Sequence, residues 1–273
     1  MKRSVRLSIA AALSLLITLF CSAQFAPVNA QSTVSTAQDG ERITGQWLIE
    51  AEGGESVRLT LSRRTERGGS HESSFDIPLE QLVGLRRESF ASSGTRAQFK
   101  IRRDAGTFYC EGWLNSGTGS GHFTFAPSSI YLTEMRKLGY EEFSGEELLA
   151  LALHDVSLRF AGELYALGYT KLGFGQLQVM RVHGVTTEFI IELKMLGYDF
   201  IPVNELVAMR IHNVTTEFIE ELQSLGYFRV TVNQLVAMRI HGVTASFIEE
   251  VKAHGYTNLS IQQLINMKIH GLG

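Results

Sequence analysis

The pair Gly-Tyr occurs at Gly139-Tyr140, Gly168-Tyr169, Gly197-Tyr198, Gly226-Tyr227 and Gly255-Tyr256, each 29 residues after the one before. A second series, His154, His183, His212, His241 and His270, keeps the same 29-residue interval. Two unrelated markers that hold one period without slippage define a tandem array. A unit of this length has room for two short helices and their turns, but not for a core of its own. Its apolar faces must be covered by the next unit, which restricts the C-terminal half of the chain to a stack.

Each unit decodes into two helices of about ten residues. A hydroxyl residue, Ser128, Ser157, Thr186, Thr215 or Thr244, stands where it can cap the free N–H groups of the first helix. Val156, Val185, Val214 and Val243 precede the caps, and Ala161, Ile190, Ile219 and Ile248 follow at the spacing of a hydrophobic staple. Phe160, Phe189, Phe218 and Phe247 share a helix face with Leu164, Leu193, Leu222 and Val251. The glycine of each Gly-Tyr pair then ends the helix in left-handed geometry, as in a Schellman ending. The second helix opens on Ser144-x-x-Glu147, Thr231-x-x-Gln234 and Ser260-x-x-Gln263, three capping boxes in register, while Gly173 and Pro202 depart from the box. It closes just before Asp155, Gly184, Asn213, Gly242 and Gly271, the residue types that best tolerate positive φ. In the last unit His254 and Asn266 replace apolar residues of the earlier ones, as suits a face turned to solvent.

Two polar columns invite chemistry. Neighbouring units roughly 8–10 Å apart hold successive histidines too far apart to share a zinc ion, whose ligands lie about 2 Å from the metal. The expected role of each His is to cap the last carbonyls of its helix, where the dipole favours a cation. Arg181, Arg210, Arg239 and Lys268 lie in the same last turn. They are candidate partner-binding residues, forming a basic ladder for an acidic peptide or polyanion. In the competing reading they are a solvated face paired with Glu188, Glu192, Glu217 and Glu221.

The preceding stretch, residues 43–127, follows a different period. Val57, Leu59 and Leu61 alternate with polar residues, and short strand-like runs flank Glu52-Gly53-Gly54-Glu55. Further runs at 74–77, 99–102, 107–114 and 122–125 predict five or six antiparallel strands. A helical turn is expected at 79–85 after Pro78, and a loop at 115–121. The fold class is therefore α+β and multidomain, an antiparallel β-sheet or meander domain (43–127) followed by an all-α solenoid of five 29-residue helical-hairpin repeats (128–273). A sheet of this size can curl into a small barrel, though such a barrel usually fills with its own side chains.

At the N-terminus Lys2, Arg3 and Arg6 precede an uncharged apolar run at 7–20, and Val28-Asn29-Ala30 supplies a small-x-small junction. This is the pattern of a signal peptide cleaved after Ala30, with cleavage after Ala23 as a second possibility and an uncleaved anchor as a third. A lipid anchor on Cys21 is disfavoured by the bulky Phe20. Residues 31–42 form a polar tail. Cleavage after Ala30 leaves Cys110 alone, which excludes a disulfide framework and places a small hydrophobe in a strand. The net charge of −3 comes from interspersed acids and bases, so nothing marks a nucleic-acid footprint. His71-Glu72 is not a zinc helix, because position 75 is Phe. His122 is expected at a solvated strand end.

The phrase Met-Arg-Ile-His-Gly-Val-Thr-x-x-Phe-Ile-x-Glu-Leu, nearly intact at 180–193, 209–222 and 238–251, resembles repeats attached to some bacterial sensor peptidases of the BlaR1 type. Those proteins carry a zinc-binding His-Glu-x-x-His helix in a membrane domain, and this sequence has neither. The resemblance thus implies a sensory or interaction role outside the cytoplasm rather than proteolysis. No nucleophile–base pair, paired-carboxylate motif, phosphate loop or metal spacing is present, so no enzyme activity and no cofactor are expected. The expected function is that of an exported, periplasmic or extracellular binding or scaffold protein with a protein or peptide partner in the envelope, no nucleic acid and no stable membrane span after cleavage. The alternative is a carrier of a small apolar ligand in the β domain.

Overall fold

The computed structural model describes residues 43–51, 54–64, 69–140 and 142–271. The stretches expected to be a leader with its cleavage site and a polar tail, and part of the first expected turn, lie outside them. Sheet and helices belong to one compact unit, Gly40–Gly273.

The first part is a curled antiparallel sheet of seven strands. They are β1 (Ile43–Glu50), β2 (Ser56–Arg64), β3 (Ser70–Pro78), β4 (Leu82–Val83), β5 (Ser93–Arg103), β6 (Gly106–Asn115) and β7 (Thr118–Pro127), in the order β3-β2-β1-β7-β6-β5-β4. Alternation places Trp47, Ile49, Leu59, Leu61, Phe99, Phe108, Cys110 and Phe125 in the core, as the period-2 pattern requires. Cys110 is inert by environment, since burial pushes its thiol up to about 12.

Two local expectations are corrected. The turn after Pro78 is helical only over Leu79–Gln81. Leu82 then pairs with Ile101 in a two-residue strand, because burying Leu82 against the sheet outweighs the local turn preference. The glycine-rich stretch at 115–121 is not a loop. Ser116 and Gly117, with φ of 44° and 89°, make a tight turn, a two-residue hairpin connection, and Gly119 and Gly121 continue inside β7. Glycine is needed there for a packing reason: at Gly121 a Cβ would lie 2.0 Å from the Glu111 carbonyl oxygen, and at its partner Gly112 a Cβ would lie 2.6 Å from Cζ2 of Trp47. His71 and His122 are exposed residues of β3 and β7, His122 in mid-strand rather than at an end.

Ten helices of nine residues follow: α1 (Ser129–Lys137), α2 (Gly145–Leu153), α3 (Leu158–Ala166), α4 (Phe174–Val182), α5 (Thr187–Met195), α6 (Val203–Ile211), α7 (Thr216–Ser224), α8 (Val232–Ile240), α9 (Ala245–Ala253) and α10 (Ile261–Ile269). All five hydroxyl caps accept from the backbone N–H three residues on, and the three capping boxes are closed. At Gly173 half a box survives, with Gln176 accepting from the Gly173 N–H at 3.0 Å. Odd helices end in Schellman bonds such as Tyr169 N–H to Leu164 carbonyl at 2.9 Å, with Gly168 at φ 94°. Even helices end the same way, with Val185 and Val214 N–H donating to Met180 and Met209 carbonyls at 2.8 Å.

The odd helices contact one another in succession, and so do α2, α4, α6, α8 and α10, which makes two layers. Units are tied by repeated bonds. The hydroxyls of Tyr169, Tyr198 and Tyr227 donate to the carbonyls of Ile201, Val230 and Leu259 at 2.7, 2.6 and 3.0 Å. These equivalent contacts are what a regular stack requires. In the odd layer Thr187 and Thr216 donate to Glu163 and Glu192 of the preceding unit.

Sheet and stack meet at the hairpin joining β5 and β6. Asp104 accepts from the Leu158 N–H at 2.8 Å, adding a cap to α3, and Asp155 sits 3.5 Å from Arg103. Helix α2 packs on β6 and β7.

Candidate functional site

The basic column is built into the stack. Arg181, Arg210, Arg239 and Lys268 lie over the rings of Phe160, Phe189, Phe218 and Phe247 on the odd helix of their own unit at 5.2, 5.0, 5.0 and 4.5 Å. Arg181 also donates from Nε to the His154 carbonyl at 3.2 Å and lies 3.9 Å from Asp155. The expected pairing with Glu188, Glu192, Glu217 and Glu221 does not form among the described ion pairs. The cation instead finds a quadrupole and a helix C-terminus closer at hand. Glu188 and Glu217 point the other way, at the starts of their helices, where hydrogen bonds from their own backbone N–H groups hold them below the usual carboxylate range. Arg210 and Lys268 remain exposed.

The histidines are C-cap residues, as their column implies, but through the backbone. Each donates its N–H to the carbonyl four residues back. Among the described residues, the only imidazole bonding a helix carbonyl is that of His254, at 2.9 Å from the Glu250 oxygen. The carbonyls after the helix ends are met from the next unit, by Arg181 at His154 and by Lys252 at Leu225. Burial, and then the charge of Arg181, lower the pKa of His154 below the ordinary imidazole value.

One column escaped the sequence reading. Val182, Ile211, Ile240 and Ile269, each just before the conserved-interval His, are 51, 54, 55 and 53% exposed. They form a row of aliphatic side chains on the outer face of the even layer. The last four helices of that layer are also set apart by charge. Helices α4, α6, α8 and α10 carry Arg181, Arg210, Arg239 and Lys268 against one carboxylate, Glu205. Helices α3, α5, α7 and α9 carry eight glutamates, among them Glu188, Glu220 and Glu249, against Arg159, Lys194 and Lys252.

At its sheet end the even layer opens on a cleft of about 330 Å³ between β2, β3 and α2, floored by Leu61, Phe123 and Leu153. Leu153 is the first member of the same aliphatic column. Arg63 closes one side, donating to both oxygens of Glu146 at 2.5 and 2.6 Å. No group of three or more His, Cys, Asp or Glu residues able to hold a metal occurs among the described residues. No described helix is long and apolar enough to cross a membrane. No protein-family model, curated protein or solved structure matches the chain.

Proposed function

We propose that this chain is an exported, non-catalytic binding or scaffold protein that holds a protein or peptide partner on the even-helix face of its stack. The observation that carries the reading is the exposed row Val182, Ile211, Ile240 and Ile269, set beside cations on four helices, α4, α6, α8 and α10, whose one carboxylate is Glu205. Four large aliphatic residues held outward at a constant interval form a surface that gains from being covered, and their cationic border favours an acidic partner. The basic column contributes as that border, with Arg210 and Lys268 its accessible members. The charged start, apolar run and small-residue junction of residues 1–30 support export, and the resemblance to envelope sensor repeats supports a regulatory or sensory setting there. The sheet's inner face is occupied by its own Trp47, Phe99, Phe108 and Phe125, which favours the stack over a ligand carrier in the β domain.

Photo-crosslinking tests the reading in the intact envelope. A benzoylphenylalanine replacing Ile211 or Ile240 is expected to give a discrete adduct, and the same probe replacing Glu220 or Glu249 on the opposite layer is not. Equal adducts from both layers, or none from either, would remove the even face from consideration.

A further inference from the structure

The even face has a finer relief than a plain apolar strip. Seven residues before Ile211 and Ile240, on the same side of their helices, stand Asn204 and Asn233, both exposed. Neither carboxamide is engaged by another side chain or backbone group among the described residues. Between the two rows the surface is floored by the small residues Ala208 and Ala237, both half-buried. A separation of seven residues is two helical turns, roughly 10.5 Å along the axis. The result is a trough that crosses α6 and α8 at right angles to their axes, with carboxamides on one wall and isoleucines on the other.

We propose that this trough binds an extended, acidic segment of a partner protein carrying an aliphatic residue at every third position, a specification that rests on the reading under Proposed function. Three features point to it. A carboxamide offers one acceptor and two donors, the complement of a peptide group, so Asn204 and Asn233 can each bond the backbone of a chain that has no hydrogen bonds of its own. Helices and sheet strands have already used theirs. Spacing is the second feature: units roughly 8–10 Å apart match three residues of polyproline II geometry, about 9.3 Å. A β-strand repeats its side at about 6.8 Å and falls out of step after one unit. Charge is the third, since Arg210 and Arg239 border the trough and Glu205 is the only carboxylate on the four helices α4, α6, α8 and α10.

The test is fluorescence anisotropy with the full chain and three labelled peptides of one composition, Glu, Pro and Ile. In one the isoleucines fall at every third residue, in another at every second, and in the last at helical i, i+3, i+4, i+7 spacing. The triplet peptide is expected to bind at least tenfold more tightly than the other two. Asn204→Ala with Asn233→Ala, and separately Ile211→Ser with Ile240→Ser, are each expected to weaken it at least tenfold while thermal unfolding stays unchanged. The proposal is overturned if the three peptides bind alike, if the strand or helix register wins, or if either double variant binds as the parent does. Adducts at Ile211 in the envelope without a triplet preference would sink the extended segment and leave the binding face standing. Absence of both would sink both.

Discussion

Five tyrosines follow the repeat glycines, and their hydroxyls do not have equal work. Tyr198 donates to the carbonyl of Val230 at 2.6 Å, across the join between two units. Tyr140 stands at the equivalent place in the first unit, yet its buried hydroxyl has no hydrogen-bond partner among the described residues and burial pushes its pKa up to about 12. Deleting a bonded hydroxyl strands the carbonyl it served, at a cost of about 1–2 kcal/mol, whereas deleting an unbonded one removes a desolvated group and costs nothing. Tyr198→Phe should therefore lower the melting temperature, by roughly 2–4 °C per kcal/mol in a domain of this size. Tyr140→Phe should leave it unchanged or raise it. The reverse order of the two melting temperatures would show that the hydroxyl ladder does not tie the units.

At the scale of the helix and strand, the cation–π ladder makes the basic column structural before it is anything else. Replacing Arg181, Arg210 and Arg239 together by Glu removes three partly exposed contacts of about 0.5–1 kcal/mol each. The positions are one unit apart, so the losses should add and the urea midpoint should fall by the equivalent of about 1.5–3 kcal/mol. A loss below about 0.5 kcal/mol, the range of ordinary surface changes, would mean that cations and rings are neighbours without consequence. The column of like charge in a last turn is legible from its own helix, while the ring each cation meets lies 21 residues upstream on another. The same distinction separates what was readable from what was not. Caps, boxes and Schellman endings are made within six residues, and they form where the residue types demand them. Strand β4, the Trp47 contact with Gly112 and the Asp104 cap on α3 depend on partners far along the chain, so no local pattern announces them. The outward isoleucines were hidden for another reason: a β-branched residue in a helix reads as core until the packing shows which way it faces.

Over the whole molecule, each helical pair touches mainly its neighbours, so stability should vary along the stack rather than being shared evenly. The sheet end is held most firmly. Helix α2 packs on β6 and β7 and buries Leu148, Leu149, Leu151 and Ala152, and Asp155 lies between Arg103 of the sheet and Arg181 of the next unit. Helix α10 buries only Leu264 and Ile265, and Tyr256 beside it is exposed. The α9–α10 pair is joined to its predecessor by few polar ties, of which the Tyr227 hydroxyl on the Leu259 carbonyl is one. Native-state hydrogen exchange should therefore find the Ile265 and Met267 amides opening at a lower free energy than those of Leu151 and Ala152. Tyr227→Phe should lower the first value by about a further 1–2 kcal/mol and leave the second untouched. One opening free energy common to α2 and α10, moved equally by that substitution, would mean that sheet and stack unfold as a single cooperative body and that the units do not carry their stability in pairs.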